Sequence, residues 1–115
     1  MTPTAKSLKL LRELGYWAED VTAYYHPKSA PFPRKKDVLG FMDIIAMKDK
    51  ELLAVNATDS TNVAHHIRKF QGNGHLTAWL STGSHFCIHG WPKDTEKDMR
   101  AVTAYVENGE LKWEG

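Results

Sequence analysis

Asp43 is the residue whose surroundings most demand a chemical explanation. It sits inside the apolar run Val38-Leu39-Gly40-Phe41-Met42-Asp43-Ile44-Ile45-Ala46-Met47. A carboxylate buried there must be paired, protonated or bound to a metal, because a lone buried charge is costly. Asp37, at the head of the same run, reads more simply as a polar residue at a strand entrance or a partner for Lys35. His85, Cys87 and His89 invite a zinc reading, but their spacing argues against it. On a straight strand the outer two lie about 13 Å apart at about 3.3 Å per residue, too far for one ion that holds ligands at about 2.0–2.3 Å. They are expected instead to form one face of a strand covered by a helix. His65 and His66 are helix neighbours without the i, i+4 spacing that seats a metal. His65 is placed toward a phosphate and His66 at the edge of the core. The chain has no Gly-rich phosphate loop, no nucleophile elbow and no Ser/His/Asp arrangement.

The elements that must position Asp43 follow from periodicity and punctuation. Residues 38–47 and 51–58 read as two strands around the turn Lys48-Asp49-Lys50. A helix over residues 61–71 follows, with Asp59 to Asn62 supplying caps and Val63, Ile67 and Phe70 at helical spacing. Upstream, residues 4–14 form an amphipathic helix stopped by Gly15, and residues 16–25 a first strand. Three prolines make residues 26–33 a loop that delivers Arg34-Lys35-Lys36 to the mouth of the central strand. Downstream come a short helix around Leu76, Trp79 and Leu80, a half-buried strand over residues 84–91, and a hairpin turning at Asn108-Gly109. The four tryptophans read mostly as core or sheet-edge packing. The order predicts one α/β domain over residues 1–115, with a mixed central sheet flanked by helices.

A length of 115 residues suits one core, and no apolar run approaches the length that spans a bilayer. A single cysteine and the lack of a signal-peptide pattern predict a reducing, cytoplasmic setting. The net charge of +1 excludes a protein that coats nucleic acid by bulk charge. The charge is uneven, however: residues 1–50 carry nine Lys/Arg against six Asp/Glu, and residues 51–115 six against eight. Arg34, Lys35, Lys36, Lys48 and Lys50 are candidates for a basic face.

The order helix, three strands, helix, strand resembles the common core of the PD-(D/E)xK nuclease superfamily, a restriction-endonuclease-like fold. Phe41-Met42-Asp43-Ile44-Ile45-Ala46 looks like its first motif, and Val55-Asn56-Ala57-Thr58 stands at its second. The chain more closely resembles small phage and bacterial members sharing patterns like Lys36-Asp37-Val38-Leu39-Gly40-Phe41-Met42-Asp43, Ser60-Thr61-Asn62-Val63-Ala64, Arg68-Lys69 and Gly90-Trp91-Pro92-Lys93. It departs from the superfamily at Asn56, where Glu or Gln is usual, and at Thr58, where Lys is usual. The resemblance implies a metal-dependent nuclease acting on DNA, with Asp43 and Asn56 holding Mg²⁺ or Mn²⁺, joined by Glu13 and the Ala57 carbonyl. Asn56 and Thr58 would stand as degenerate catalytic positions, and Lys69 or Arg68 would supply the missing cation. Arg34, Lys35, Lys36, Arg68 and Lys69 would bind the nucleic acid, and a homodimer would span two strands. The alternative is a catalytically inactive protein of the same fold that binds nucleic acid or a partner protein.

Overall fold

The computed structural model describes residues 1–25, Lys28 and residues 34–115, without the side chains of Tyr24, Tyr25 and Arg34. The expected loop over residues 26–33 lies, Lys28 apart, outside the described residues. Helix α1 (Pro3–Glu13) begins where Thr2, in extended conformation, accepts the Ala5 N–H at 3.1 Å. Pro3 at the first helical position loses no hydrogen bond, because the N–H it lacks would have had no helical partner.

The expected strand over residues 16–25 is two strands. Strand β1 (Trp17–Asp20) ends where the Asp20 carboxylate accepts the Thr22 N–H at 2.9 Å. That side-chain turn redirects the chain, so β2 (Ala23–Tyr25) leaves the main sheet and pairs with β3 (Arg34–Lys36) as a separate antiparallel hairpin.

The strand expected over residues 38–47 is shorter than its apolar run suggests. Residues 37–42 close a tight turn in which the Met42 carbonyl accepts the Val38 N–H at 2.9 Å. Leu39 (φ 55°) and Gly40 (φ 81°) are both left-handed there. A continuous strand would send Phe41 and Met42 to opposite faces. The turn lets both enter one core cluster, where each is almost wholly buried. Strand β4 (Ile44–Lys48) then pairs antiparallel with β5 (Glu51–Asp59) through a two-residue turn.

From β5 the chain passes through a 3-10 turn (Ser60–Asn62), capped by Asp59, into α2 (Val63–Phe70) and α3 (Gly74–Ser81). It returns as β6 (His85–Trp91), parallel to β5, and ends in the antiparallel pair β7 (Arg100–Glu107) and β8 (Glu110–Glu114). The six-stranded mixed sheet runs β1-β4-β5-β6-β7-β8.

Alternation along β5 divides the core. Leu53 and Val55 join Leu11 of α1 on one face, while Ala54 joins Phe70, Leu76, Phe86 and Ile88 under α2 and α3 on the other. The edge-on stack of Phe41, Phe86 and Phe70, with centroids 5.3 and 5.7 Å apart, binds the 37–42 turn to β6 and α2. Gly90 lets α2 approach: a Cβ there would lie 2.5 Å from Val63 Cγ2 and 3.3 Å from Ser60 Cα. Among the described residues, no helix is long and apolar enough to cross a membrane.

Candidate functional site

Asp43 comes immediately before β4, and the register pairing Ile44 with Val55 sets it across from Asn56. Its side chain faces α2 and is almost fully buried, as the sequence requires of an acid in that run. Oδ2 accepts the Ala57 N–H at 2.9 Å. Among the described residues, Asp43 Oδ1 is the buried side-chain oxygen with no hydrogen-bond partner. Among the described residues, the nearest cation is Lys35, whose Nζ stands 3.8 Å from Oδ1, too long for a hydrogen bond.

Asp37 is the second carboxyl of the site, a role its sequence position hides. The turn of residues 37–42 folds it back beside Asp43, and its Oδ2 accepts from Asn56 Nδ2 at 3.3 Å. Burial above all, and then the neighbouring Asp37 carboxyl, push the Asp43 carboxyl up to about 8. The Ala57 N–H and the Lys35 charge pull the other way without prevailing. Asp43 is buried and Asp37 half-buried, and two carboxylates offer each other only acceptors, so a proton or a metal cation between them relieves their repulsion.

Asn56 is turned away from the metal-ligand role. Its Oδ1 meets His66 Nδ1 at 2.8 Å, and its amide nitrogen is the group offered to Asp37. Because a carbonyl oxygen only accepts, His66 carries its proton on Nδ1. Its Nε2, 3.2 Å from Thr58 Oγ1, then accepts the threonine hydroxyl. Burial first, and the nearby Lys69 charge second, hold His66 below its ordinary value, which keeps it neutral at pH 7. The result is a continuous chain, Asp37–Asn56–His66–Thr58, linking the 37–42 turn, β5 and α2. His66 rather than His65 therefore belongs to the site. The missed signal was three-dimensional: β5 must present Asn56 and Thr58 on the face under α2 before one imidazole can bridge them.

These groups wall a cleft of roughly 710 Å³ that also receives Lys35, Lys36 and Lys69. Of the residues singled out from sequence, Asp43, Asn56, Lys35, Lys36 and Lys69 meet there. Thr58 is buried behind Asn56 and bonded to His66, so it does not stand in for a cation. Glu13 does not reach the cleft. It is exposed on the last turn of α1, beyond the Leu11 contact on the opposite sheet face, in a groove formed by α1 and Met1. Arg68 is exposed on α2 and lies off the cleft wall, and the Arg34 side chain is outside the described residues. Lys48 is drawn away from the other basic residues, donating to the Leu14 carbonyl at 2.7 Å beyond the far end of β4. Among the described residues, no group of three or more His, Cys, Asp or Glu is placed to hold a metal ion. The acids of the cleft number two.

Helix α1 covers Cys87 and His89, while His85 stays exposed. Trp91 Nε1 donates to Ser7 Oγ at 2.8 Å, and the same Oγ is hydrogen-bonded to His89 Nδ1 at 2.9 Å. Burial pushes His89 down to about 4 and, as the leading cause, the Cys87 thiol up to about 12. Of the tryptophans, Trp91 is buried, Trp79 and Trp113 pack at the core margin, and Trp17 is 81% exposed on the edge strand β1. No family model matches the chain, and the curated proteins and solved structures give no match either.

Proposed function

We propose that the Asp37–Asp43 cleft is a divalent-cation and phosphodiester site, and that the protein is a metal-dependent, nuclease-like protein acting on DNA. The observation that carries this reading is the buried Asp43 Oδ1, without a hydrogen-bond partner, in a carboxyl pair ringed by Lys35, Lys36 and Lys69. Asp43 and Asp37 are the residues that would hold Mg²⁺ or Mn²⁺, hard cations that favour carboxylate oxygens. When bound, such an ion supplies activation of water and offsets charge on the scissile phosphate. The lysines hold the phosphate, the Ala57 N–H fixes the Asp43 carboxyl, and His66 locks Asn56 so that its amide orients Asp37. The order α1, β1, β4, β5, α2, β6 on a mixed sheet supports the resemblance to the PD-(D/E)xK superfamily and its restriction-endonuclease-like fold. Lys69 and Lys35 line the cleft and are the cations that would stand in for the lysine the superfamily carries where this chain has Thr58.

The second reading, a metal-free protein that binds nucleic acid through the same face, is favoured by a specific observation. Asn56 Oδ1 is taken up by His66, and the acids present are two. One experiment separates the readings. Mn²⁺ and Mg²⁺ are titrated into native protein and Asp43→Asn, and cleavage of single-stranded, duplex and branched DNA is assayed with Mn²⁺. Saturable binding and cleavage, both lost in Asp43→Asn, are expected. DNA binding with neither property would establish the metal-free reading.

A further inference from the structure

We propose that Lys35 changes partners, leaving Asp43 for a substrate phosphate when a divalent cation enters, so that cation and phosphate bind cooperatively. This rests on the divalent-cation reading of the cleft. Three features of Lys35 support it. Its Nζ stands 3.8 Å from Asp43 Oδ1, close enough to oppose a cation there and without a hydrogen bond to break. Its side chain is 44% exposed, against 3% for Asp43, so the ammonium is hydrated as it moves and the ion pair itself is weak. It also lies on the β2–β3 hairpin outside the main sheet, so its displacement disturbs no core strand.

Lys35 lines both the cleft and a second hollow of roughly 290 Å³ beside the start of α1, which gives the flexible four-carbon stem two directions to turn. Asp20 and Asp59 stand in that hollow, so it repels a phosphate, whereas the cleft holds Lys36 and Lys69. A cation at Asp43 repels the ammonium and takes its electrostatic place. The freed charge then meets an anion best in the cleft. Without the cation, the Lys35 ammonium stays beside the very acid the cation needs, where its charge opposes the cation's entry. Each ligand therefore removes part of the obstacle to the other, and linkage makes the effect equal in both directions.

The test measures Mn²⁺ affinity by calorimetry and the affinity of a labelled single-stranded phosphorothioate 10-mer by anisotropy, with and without Mn²⁺. Native protein, Lys35→Met, Lys36→Met and Asp43→Asn are compared. Direct attraction between Mn²⁺ and phosphate acts in every variant, so the readout is the difference from native. In native protein Mn²⁺ should tighten oligonucleotide binding on the order of 10- to 100-fold, within the usual range of coupling between sites. Lys35→Met should bind Mn²⁺ alone about 3- to 10-fold more tightly, since a competing cation is gone, and lose about fivefold or more of the coupling. Lys36→Met should weaken oligonucleotide binding while keeping native Mn²⁺ affinity and native coupling. Mn²⁺ binding that is lost in Asp43→Asn but equal in native and Lys35→Met, with coupling intact, overturns the partner change alone. Native protein that binds Mn²⁺ no better than Asp43→Asn overturns the divalent-cation reading, and the partner change with it.

Discussion

Two buried titrating residues give the protein opposite responses to pH. In the folded chain Asp43 rises to about 8 from 3.8, so the folded state binds a proton that the unfolded state releases. Stability held below pH 3.8 is therefore lost as pH climbs toward 8. His89 falls from 6.5 to about 4, so the unfolded state takes the proton first. Its contribution is complete above pH 6.5 and is lost as pH falls toward 4, by about 3 kcal/mol for a shift of that size. Thermal unfolding measured across pH should show the two nearly cancelling between pH 4 and 6.5 and the Asp43 loss alone above it. Asp43→Asn should remove the alkaline loss, and His89→Gln the acid one. An Asp43→Asn variant that keeps the native decline between pH 6.5 and 8 would place the responsible carboxyl elsewhere.

The segment between β3 and β4 does the positioning at the level of elements. Its turn carries Asp37 back to Asp43 and is held from outside by Asn73. The Asn73 Oδ1 caps α3 by accepting from His75 and Leu76, while its Nδ2 donates to the Leu39 carbonyl at 3.1 Å. Asn73→Ala removes the cap and the brace together and should cost about 1–2 kcal/mol in urea unfolding. Gly40→Ala forces a side chain into the left-handed region within 3.0 Å of Asn73 Nδ2 and should cost about 1 kcal/mol or slightly more. Gly90→Ala should cost more than either, because the obstructing Val63 methyl belongs to a stiff, buried, β-branched side chain on α2. A ranking with Gly40→Ala as the most damaging would mean that the turn, rather than the α2 approach, is the tighter joint.

For the molecule as a whole, the sheet separates two halves with different tasks. The α1 face is a packed layer with the Ser7–His89–Trp91 network, and the α2 face opens at one end into the cleft. That opening lies at the carboxyl end of β5, where the parallel β5–β6 step forces the chain out into α2, a usual place for ligand crevices in open α/β sheets. Among the described residues, the basic excess of residues 1–50 reaches the cleft through Lys35 and Lys36 of the hairpin. Changing Lys35 and Lys36 together to Ala should flatten the salt dependence of single-stranded DNA binding by about 0.7 log units per log unit of salt for each lost contact. Arg68→Ala and Glu13→Gln should leave, respectively, that slope and the Mn²⁺ affinity unchanged. A slope indifferent to both lysines would move the binding face off the cleft.

Local order was written plainly in the residues. The amphipathic pattern of residues 4–14 marks α1, although Thr2 rather than Thr4 caps it, Asn108-Gly109 turns the last hairpin, and alternation along residues 85–91 sorts Phe86 and Ile88 from Cys87 and His89. Asp43 announced itself because an acid in an apolar run is visible at any range. The break between β1 and β2 and the turn at residues 37–42 were harder to see, since β-branched and apolar residues suit a buried strand and a buried turn equally. Which polar groups meet was decided only in three dimensions. Asp37 joins Asp43 because the turn folds it back, and His66 bridges Asn56 and Thr58 because α2 lies over the face that β5 presents. Glu13 is sent to the far side because α1 packs on the other face. Sequence spacing determines which side chains share a strand or helix face; the packing of the two helical layers determines which of those faces meet.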